Sequence, residues 1–417
     1  MLIGAVADDI TGATDLCLML SRAGLHAVQV MGVPTGALPH ADAVVIALKS
    51  RTIPAAEAVQ MSVAAAQALL AAGAGQVLFK YCSTFDSTDQ GNIGPVTEAL
   101  MDLTQTPLTI ACPSFPANGR TVYKGYLFVG DQLLSDSPMK DHPLTPMRDS
   151  NLVRVLQRQT ALPVGLLDAA TIAEGPDAIG LAFARAKTSG QRILVADTLT
   201  DADLLSIGKA CANMRFVTGG SGIALGLAAN FGRGETAKAS RMAAPAGRRV
   251  ILAGSCSQAT RGQIAAATAA GMPALALDVD RLAAGTQTAQ QVADWVRAQP
   301  GTALVYSSAD PETLARTQAR LGRDAAGALV EHTLASISQR LRDAGFTQFI
   351  IAGGETSGAV VGALGVSMLE IGPEIAPGVP WTRSSGGPDL ALALKSGNFG
   401  APDFFLKAWD LLEDAAP

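Results

Sequence analysis

The sequence predicts an α/β protein of two domains, each a largely parallel sheet flanked by helices, and three observations point to it. A chain of 417 residues exceeds what one hydrophobic core usually serves, so two domains are expected. Short apolar runs alternate with helical patterns through both halves, as successive βαβ units do. The third observation is a segment, FGRGETAKASRMAAPAGRR from Phe231 to Arg249, that is polar, basic and weakly periodic between apolar flanks. The expected organisation is a first domain over 1–236, a linker over 237–249 and a second domain over 250–417. Apolar residues make up 48% and charged residues 16% of the chain, with 43 glycines, a composition suited to covered sheets joined by tight turns.

In the first half, strands are expected at Leu2–Ala7, Ala27–Met31, Ala43–Leu48, Gln76–Tyr81 and Leu108–Cys112. After a long irregular stretch, two more fall at Ile193–Ala196 and Met214–Thr218. A helix over Thr11–Ala23 places Leu16, Met19, Leu20 and Ala23 on one face, with Gly24 just past its end, where a left-handed residue commonly closes a helix. Pro54 opens a second, alanine-rich helix over Ala55–Ala72, because proline suits the first helical turn. The second half resumes with strands at Val250–Ala253, Ala303–Tyr306, Phe349–Ala352 and Leu390–Lys395. PEIAPGVPW, Pro373 to Trp381, reads as a proline-rich loop ending in an aromatic that either walls a planar ligand or is an ordinary connection.

Several function classes are disfavoured. A formal net charge of -5 offers no broad basic field for nucleic acid or an anionic membrane. Cys17, Cys82, Cys112, Cys211 and Cys256 stand far apart, which suits reduced thiols in the cytoplasm rather than a disulfide framework or metal site. The opening MLIGAVADDITGATD lacks a basic leader and reads as a first strand, and no apolar run is long enough to span a membrane. His26, His40, His142 and His332 show no metal-ligand spacing, and only His142 has a loop position suited to substrate contact.

Three turns in the second half combine small, polar and glycine residues at the ends of strands. In FIIAGGETSGAVVGALG, a strand leads into Gly353, Gly354, Glu355, Thr356, Ser357 and Gly358 and then a helix. Glycine lets a ligand approach the backbone closely, and free N–H groups at a helix start attract phosphate. Neither the G-x-x-x-x-G-K-[ST] loop nor the dinucleotide G-x-G-x-x-G motif is present, so a tight turn remains equally open. In RRVILAGSCSQ, Ser255 and Ser257 either cap the next helix or bind phosphate or ribose. In LALKSGNFG, the strand ends at Lys395 and turns through Gly397, Asn398 and Gly400. Three such turns at strand carboxyl ends in one domain meet the requirement for a ligand crevice at a switch point. Glu355 either helps hold Mg²⁺ or complements its helix start.

The first half gathers charge at corresponding places. Asp8 and Asp9 follow the first strand; one suits the helix cap, and an adjacent pair exceeds what capping needs. Asp8 or Asp9 is the candidate base. Lys49, Ser50 and Arg51 follow the third strand, Lys80 and the segment through Ser83, Thr84, Asp86 and Ser87 the next, and Asn118, Gly119 and Arg120 the one after. Arg51 and Arg120 offer planar forks for a carboxylate and Lys80 a point charge, while Ser83 and Asp86 suit hydroxyl recognition. Solvated surface residues and local turn chemistry are the plainer readings of each.

Together ADDITGATD, KYCSTFDST, ACPSFPANGRTVYKGYLFV, GGETSGAV, IGPEIAPGVPW and LALKSGNFG resemble the four-carbon acid sugar kinase family, most closely its 3-oxo-tetronate 4-kinase branch. The resemblance spans essentially the whole chain. It implies a first domain that binds the acid sugar, a second that binds ATP with Mg²⁺, phosphate transfer to a 4-hydroxyl, and an active site in the cleft between domains. It implies ATP contacts at Ser255 or Ser257, along Gly354 to Val360 including Ala359, and at Gly400, and substrate contacts near Asp8, Asp9, Arg51, Lys80 and Arg120. The partners implied are small molecules, with a homodimer an open possibility. Threonate or erythronate is the alternative substrate. A NAD-dependent dehydrogenase and a non-catalytic metabolite-binding protein are the competing classes; the first lacks its glycine fingerprint, and the second leaves the charged strand ends without a role.

Overall fold

The computed structural model describes residues 1–142, 144–232, 242–307, 316, 319–320 and 322–413. Much of the expected linker, 233–241, lies outside them. The chain divides into two units, Met1–Ala237 and Lys238–Pro417.

The first unit is built on strands β1 (Ile3–Ala7), β2 (Ala27–Met31), β3 (Ala43–Ala47), β4 (Gln76–Lys80) and β5 (Thr109–Cys112). A small antiparallel sheet follows, β6 (Arg120–Tyr123), β7 (Tyr126–Val129) and β8 (Gln132–Leu133). Then come β9 (Val164–Leu167), β10 (Ile193–Ala196) and β11 (Phe216–Gly219). The main sheet is parallel in the order β2-β3-β1-β4-β11-β5-β10-β9. β1, β3 and β4 are buried along their entire lengths, as strands covered on both faces must be, and each buried Val, Ile or Leu side chain contributes about 1.5–3 kcal/mol. From β1 the chain crosses to β2 and β3 on one side, then passes to β4 on the other, so β1 and β4 flank a switch point.

The second unit starts with the short β12 (Met242–Ala243). It continues with β13 (Arg248–Ala253), β14 (Ala274–Ala276), β15 (Ala303–Tyr306), β16 (Phe346–Ala352), β17 (Met368–Ala376), β18 (Val379–Ser385) and β19 (Ala391–Lys395). β20 (Leu412–Glu413) pairs with β12. Its sheet runs β14-β15-β13-β16-β19-β18-β17, parallel up to β19 and antiparallel beyond. β13 and β16 flank a second switch point, since the chain goes to β14 and β15 on one side before returning to β16.

Expected and observed elements differ in several places; β12, β14 and β20 match no expected strand, and β16 begins at Phe346 rather than Phe349. The long irregular stretch contains β6 to β9, whose two- to four-residue strands carry too little periodicity to announce themselves. β13 begins at Arg248 rather than Val250; the Arg248 guanidinium donates to the Arg297 and Gln299 carbonyls and stacks 4.4 Å from the Phe346 ring centroid, so an apparently linker-like arginine is tied to the start of an interior strand. PEIAPGVPW is not a loop but the end of β17, a turn at Pro377 and Gly378, and the start of β18. Trp381 is fully buried, donates its indole N–H to the Ala408 carbonyl and packs on Trp409, which removes it from any ligand wall. Finally, the helix after β16 starts at Gly354, so Glu355 to Gly358 form its first turn rather than a loop, and Val360 is buried. Gly353, at φ +125°, makes the sharp turn that lets the helix begin so early.

Candidate active site

At the switch point of the first unit, the adjacent ends of β3, β1 and β4 bring Arg51, Asp8, Asp9 and Lys80 into one cluster. Arg51 donates from Nε and Nη2 to both oxygens of Asp8 at 2.9 and 2.8 Å, and from Nη2 to Asp9 Oδ1 at 2.7 Å. Its Nη1 lies 3.7 Å from Asp86 Oδ2. One guanidinium thus bridges three carboxylates, a planar geometry that lysine cannot supply. Asp9 is the N-cap of the helix Ile10–Arg22, accepting from the Gly12 amide and the Thr11 hydroxyl, which resolves which of the acidic pair caps. A Cβ on Gly12 would lie 2.6 Å from Lys80 Nζ and 2.2 Å from Asp9 Oδ1, so the missing side chain is what admits the lysine. Lys80 is only 3% exposed.

Electrostatics separate the two acids. Burial raises the Asp8 carboxyl above its ordinary value and outweighs Arg51. For Asp9, burial pulls upward too, but Arg51, Lys80, Thr11 and the Gly12 amide together hold it below. Burial would lower Arg51, yet Asp8 and Asp9 carry it well above its usual value, locking the guanidinium charge.

Asp86 reaches this cluster through two consecutive left-handed residues, Phe85 at φ +67° and Asp86 at φ +44°. Such conformations cost on the order of 1 kcal/mol each outside glycine and tend to mark functional loops. The turn is held by Phe85, buried against Tyr81, and by the Thr84 hydroxyl donating to Asp86 Oδ1 at 2.7 Å. Ser83 lies in the same turn, half-buried. Arg120 stands apart: its guanidinium turns back to the Asn118 carbonyl, and among the described residues no ion pair or hydrogen bond joins it to Asp8, Asp9 or Arg51. His142 accepts from the Thr145 amide and meets its hydroxyl.

Spacing alone gives no reason to single out Asp15. Its carboxylate accepts from the Ser221 hydroxyl, past the end of β11, and its other oxygen is buried without a partner. Burial pushes its pKa up to about 6, against the pull of Lys80 and Ser221. The only hint in the sequence is that it completes the acidic run of ADDITGATD.

In the second unit, the ends of β13, β16 and β19 are likewise adjacent. Ser257 caps the helix Gln258–Ala269 by accepting from the Thr260 amide, and donates to the Gly397 carbonyl at 2.6 Å. Ser255 accepts from the Ser257 amide. A Cβ on Gly397 would meet Ser255 Oγ at 2.4 Å, one on Gly254 would meet Thr356 Oγ1 at 2.1 Å, and one on Gly353 would lie 3.2 Å from the Ser255 amide nitrogen. The three turns therefore touch, at approaches only glycine permits. Ser357 is fully buried and its hydroxyl lacks a partner among the described residues. Gly354, Glu355, Gly358 and Ala359 are half-buried on the same helix, and Thr356 is buried. Among the described residues no group of three or more His, Cys, Asp or Glu is set to hold a metal, and no helix is long and apolar enough to cross a membrane.

This division of chemistry matches the comparisons with known proteins. Residues 3–227 match a family model described as a sugar-binding N-terminal domain, and 250–405 match a nucleotide-binding C-terminal domain. A 3-oxo-tetronate kinase of Pseudomonas fluorescens is 53% identical over 413 residues, covering 98% of this chain and 96% of its own. The chain belongs to the four-carbon acid sugar kinase family. Another relative in this kinase family, a 3-oxo-tetronate kinase of Burkholderia multivorans, is 53% identical over 421 residues, 100% of this chain and 98% of its own. Among solved structures, one from Salmonella typhimurium LT2 is 43% identical with a TM-score of 0.84, covering 97% of this chain and 98% of that one. Haemophilus influenzae protein HI1011 is 42% identical with a TM-score of 0.77, covering 98% of this chain and 99% of that one. Both solved structures thus share this fold over nearly the whole chain.

Proposed function

We propose that the protein is an ATP-dependent kinase that transfers a phosphoryl group to the 4-hydroxyl of 3-oxo-tetronate. The observation that carries the reading is the pairing of two unlike strand-end clusters, acids with Arg51 and Lys80 in the segment matched as sugar-binding, and glycines with hydroxyls in the segment matched as nucleotide-binding.

Asp8 takes the hydroxyl proton. Arg51 occupies one lone pair on each of its oxygens, and a carboxylate has about four such sites, so a substrate hydroxyl still finds an acceptor; its raised pKa makes it the stronger base of the pair. Asp9, held ionised, orients Arg51 and the start of its helix. Lys80 receives the substrate carboxylate, while Asp86 and Ser83 recognise its hydroxyls. ATP supplies the phosphoryl group, with Mg²⁺ offsetting charge on its phosphates. The partnerless Ser357 hydroxyl and the glycine approaches at Gly353 and Gly397 fit phosphate oxygens, with Ser255 and Gly400 beside them and Glu355 near the metal. An all-protein cage is not needed, because Mg²⁺ is usually bound through the nucleotide and one or two carboxylates. The domain boundary falls within 237–249, and the enzyme works in the cytoplasm with its cysteines reduced.

The test is ADP release by the purified protein with Mg-ATP and 3-oxo-tetronate, threonate or erythronate, with the product identified by phosphorus NMR. Fastest turnover on 3-oxo-tetronate, giving a 4-phosphate, is expected. Turnover confined to threonate or erythronate would move the substrate, and no ADP release from any of them would remove the kinase.

A further inference from the structure

We propose that Lys395 and Gln263 are positioning residues that hold the Ser396–Ala401 loop as a ready-made nest of backbone N–H groups for the phosphates of the nucleotide. The inference rests on the nucleotide reading of the second unit and deepens it.

Lys395 ends β19 with no exposed surface. Its ammonium donates to the carbonyls of Ser396, Gly397 and Phe399 at 2.9, 2.9 and 3.0 Å and to the Thr260 hydroxyl at 3.2 Å. Gln263, buried on the helix Gln258–Ala269, donates from Nε2 to the carbonyls of Phe399, Gly400 and Ala401 at 3.0, 2.9 and 3.1 Å. Thr260 and Ser257 add hydroxyl donors to the Gly397 carbonyl. Five of the six carbonyls of the loop, all but that of Asn398, are thereby drawn inward.

In a trans peptide unit the C=O and the following N–H point in opposite directions, and no cis peptide is present among the described residues. Drawing in those carbonyls turns the amides of Gly397, Asn398, Gly400 and Ala401 outward. None of these four amides donates a hydrogen bond among the described residues, whereas the intervening Phe399 amide closes the turn on the Ser396 carbonyl. Successive outward N–H groups form an anion-binding concavity. A buried ammonium behind them, with no carboxylate paired to it among the described residues, adds a positive field aimed at the same place. A lysine satisfied only by neutral acceptors is costly to bury, which is a reason to expect it to serve binding rather than stability.

Burial pushes Lys395 down to about 7, with no charged side chain contributing, neither Arg261 of the neighbouring helix nor Glu355 after β16. Raising the pH through 7 removes one donor and the field together.

The experiment measures dissociation constants of ATP, inorganic tripolyphosphate and adenosine for the full chain, wild type and the variants Lys395→Met and Gln263→Met, from pH 6 to 8.5. ATP and tripolyphosphate are expected to bind about ten- to hundredfold more weakly to both variants, with adenosine affinity and the KM for the acid unchanged. Wild-type ATP affinity should fall as pH rises through 7, and this dependence should flatten in Lys395→Met. Unaltered tripolyphosphate affinity in Gln263→Met, which keeps the lysine and guards against failure of Lys395→Met to fold, would overturn the proposal. Equal weakening for adenosine would also overturn it, as a general structural effect. A wild type that binds neither ATP nor tripolyphosphate would instead remove the nucleotide reading beneath it.

Discussion

The strand ends of the first unit and those of the second share a plan and differ in chemistry. In each, three neighbouring parallel strands flank a switch point, β3-β1-β4 in one and β13-β16-β19 in the other. The first fills its crevice with charge: three carboxylates meet Arg51, with Lys80 beside them. The second removes side chains from its crevice and leaves backbone, hydroxyls and one cation buried behind a loop. A substrate that must lose a proton needs side chains whose pKa values can be set; a polyphosphate needs many fixed donors at close approach. The same topology serves both because it delivers strand ends and leaves their chemistry to the loops.

The largest effect that would break this contrast is on turnover. Asp8→Asn should lower kcat by about 10²–10⁴-fold while the ATP dissociation constant stays within about twofold, because only the first crevice handles the proton. Asp9→Ala should in addition lose helix capping, about 0.5–2 kcal/mol of stability by urea unfolding. Wild-type turnover in Asp8→Asn would reduce the acidic cluster to a binding role.

Next in size is Gly397→Ala, whose new methyl falls 2.4 Å from Ser255 Oγ. Overpacking of about 1–3 kcal/mol should raise the KM for ATP by roughly ten- to hundredfold and leave the KM for the acid as it was. Equal changes in both would show that the two crevices do not divide the substrates.

The smallest effect concerns stability and sharpens the electrostatic side. Burial raises the Asp15 carboxyl to about 6 from its unfolded value near 3.8, so the folded state holds this proton more tightly than the unfolded chain. Stability therefore falls as pH rises between these values, and above 6 the cost is on the order of 3 kcal/mol. Asp15→Asn should remove it, offset by about 1 kcal/mol for the bond from Ser221. A net gain of about 2 kcal/mol at pH 7.5 and a small net loss, about 0.5 kcal/mol, at pH 4 are expected by urea unfolding. Equal changes at both values would mean that the carboxyl titrates normally.

Much of this was legible along the chain. Fully apolar runs such as AVVIA at β3 and the alternation of strands and helices identify a covered parallel sheet, because burial on both faces leaves no room for polar alternation. The Asp8–Asp9 pair, Arg51 and the glycine turns were visible because their residue types are expensive or unusual where they stand. The hairpin at PEIAPGVPW was not, since Pro373 sits at a register irregularity and Pro377 in the turn, a pattern that local propensity reads as a loop. The turn of the Arg120 guanidinium toward the Asn118 carbonyl was not visible from its position either. Lys395 looked like the last residue of a strand, and Asp15 like one more polar residue on a helix.

By itself the sequence determined most of the fully apolar parallel strands, such as β1, β3 and β4, and which residues follow their ends, because periodicity and turn chemistry are local. Only the tertiary structure decided that β3, β1 and β4 are neighbours, that Arg51 spans 43 residues to reach Asp8, and that Gln263 and Lys395 share one loop's carbonyls across more than a hundred residues. Those pairings depend on the crossover order of the sheets, which non-local packing sets and no short stretch of sequence records.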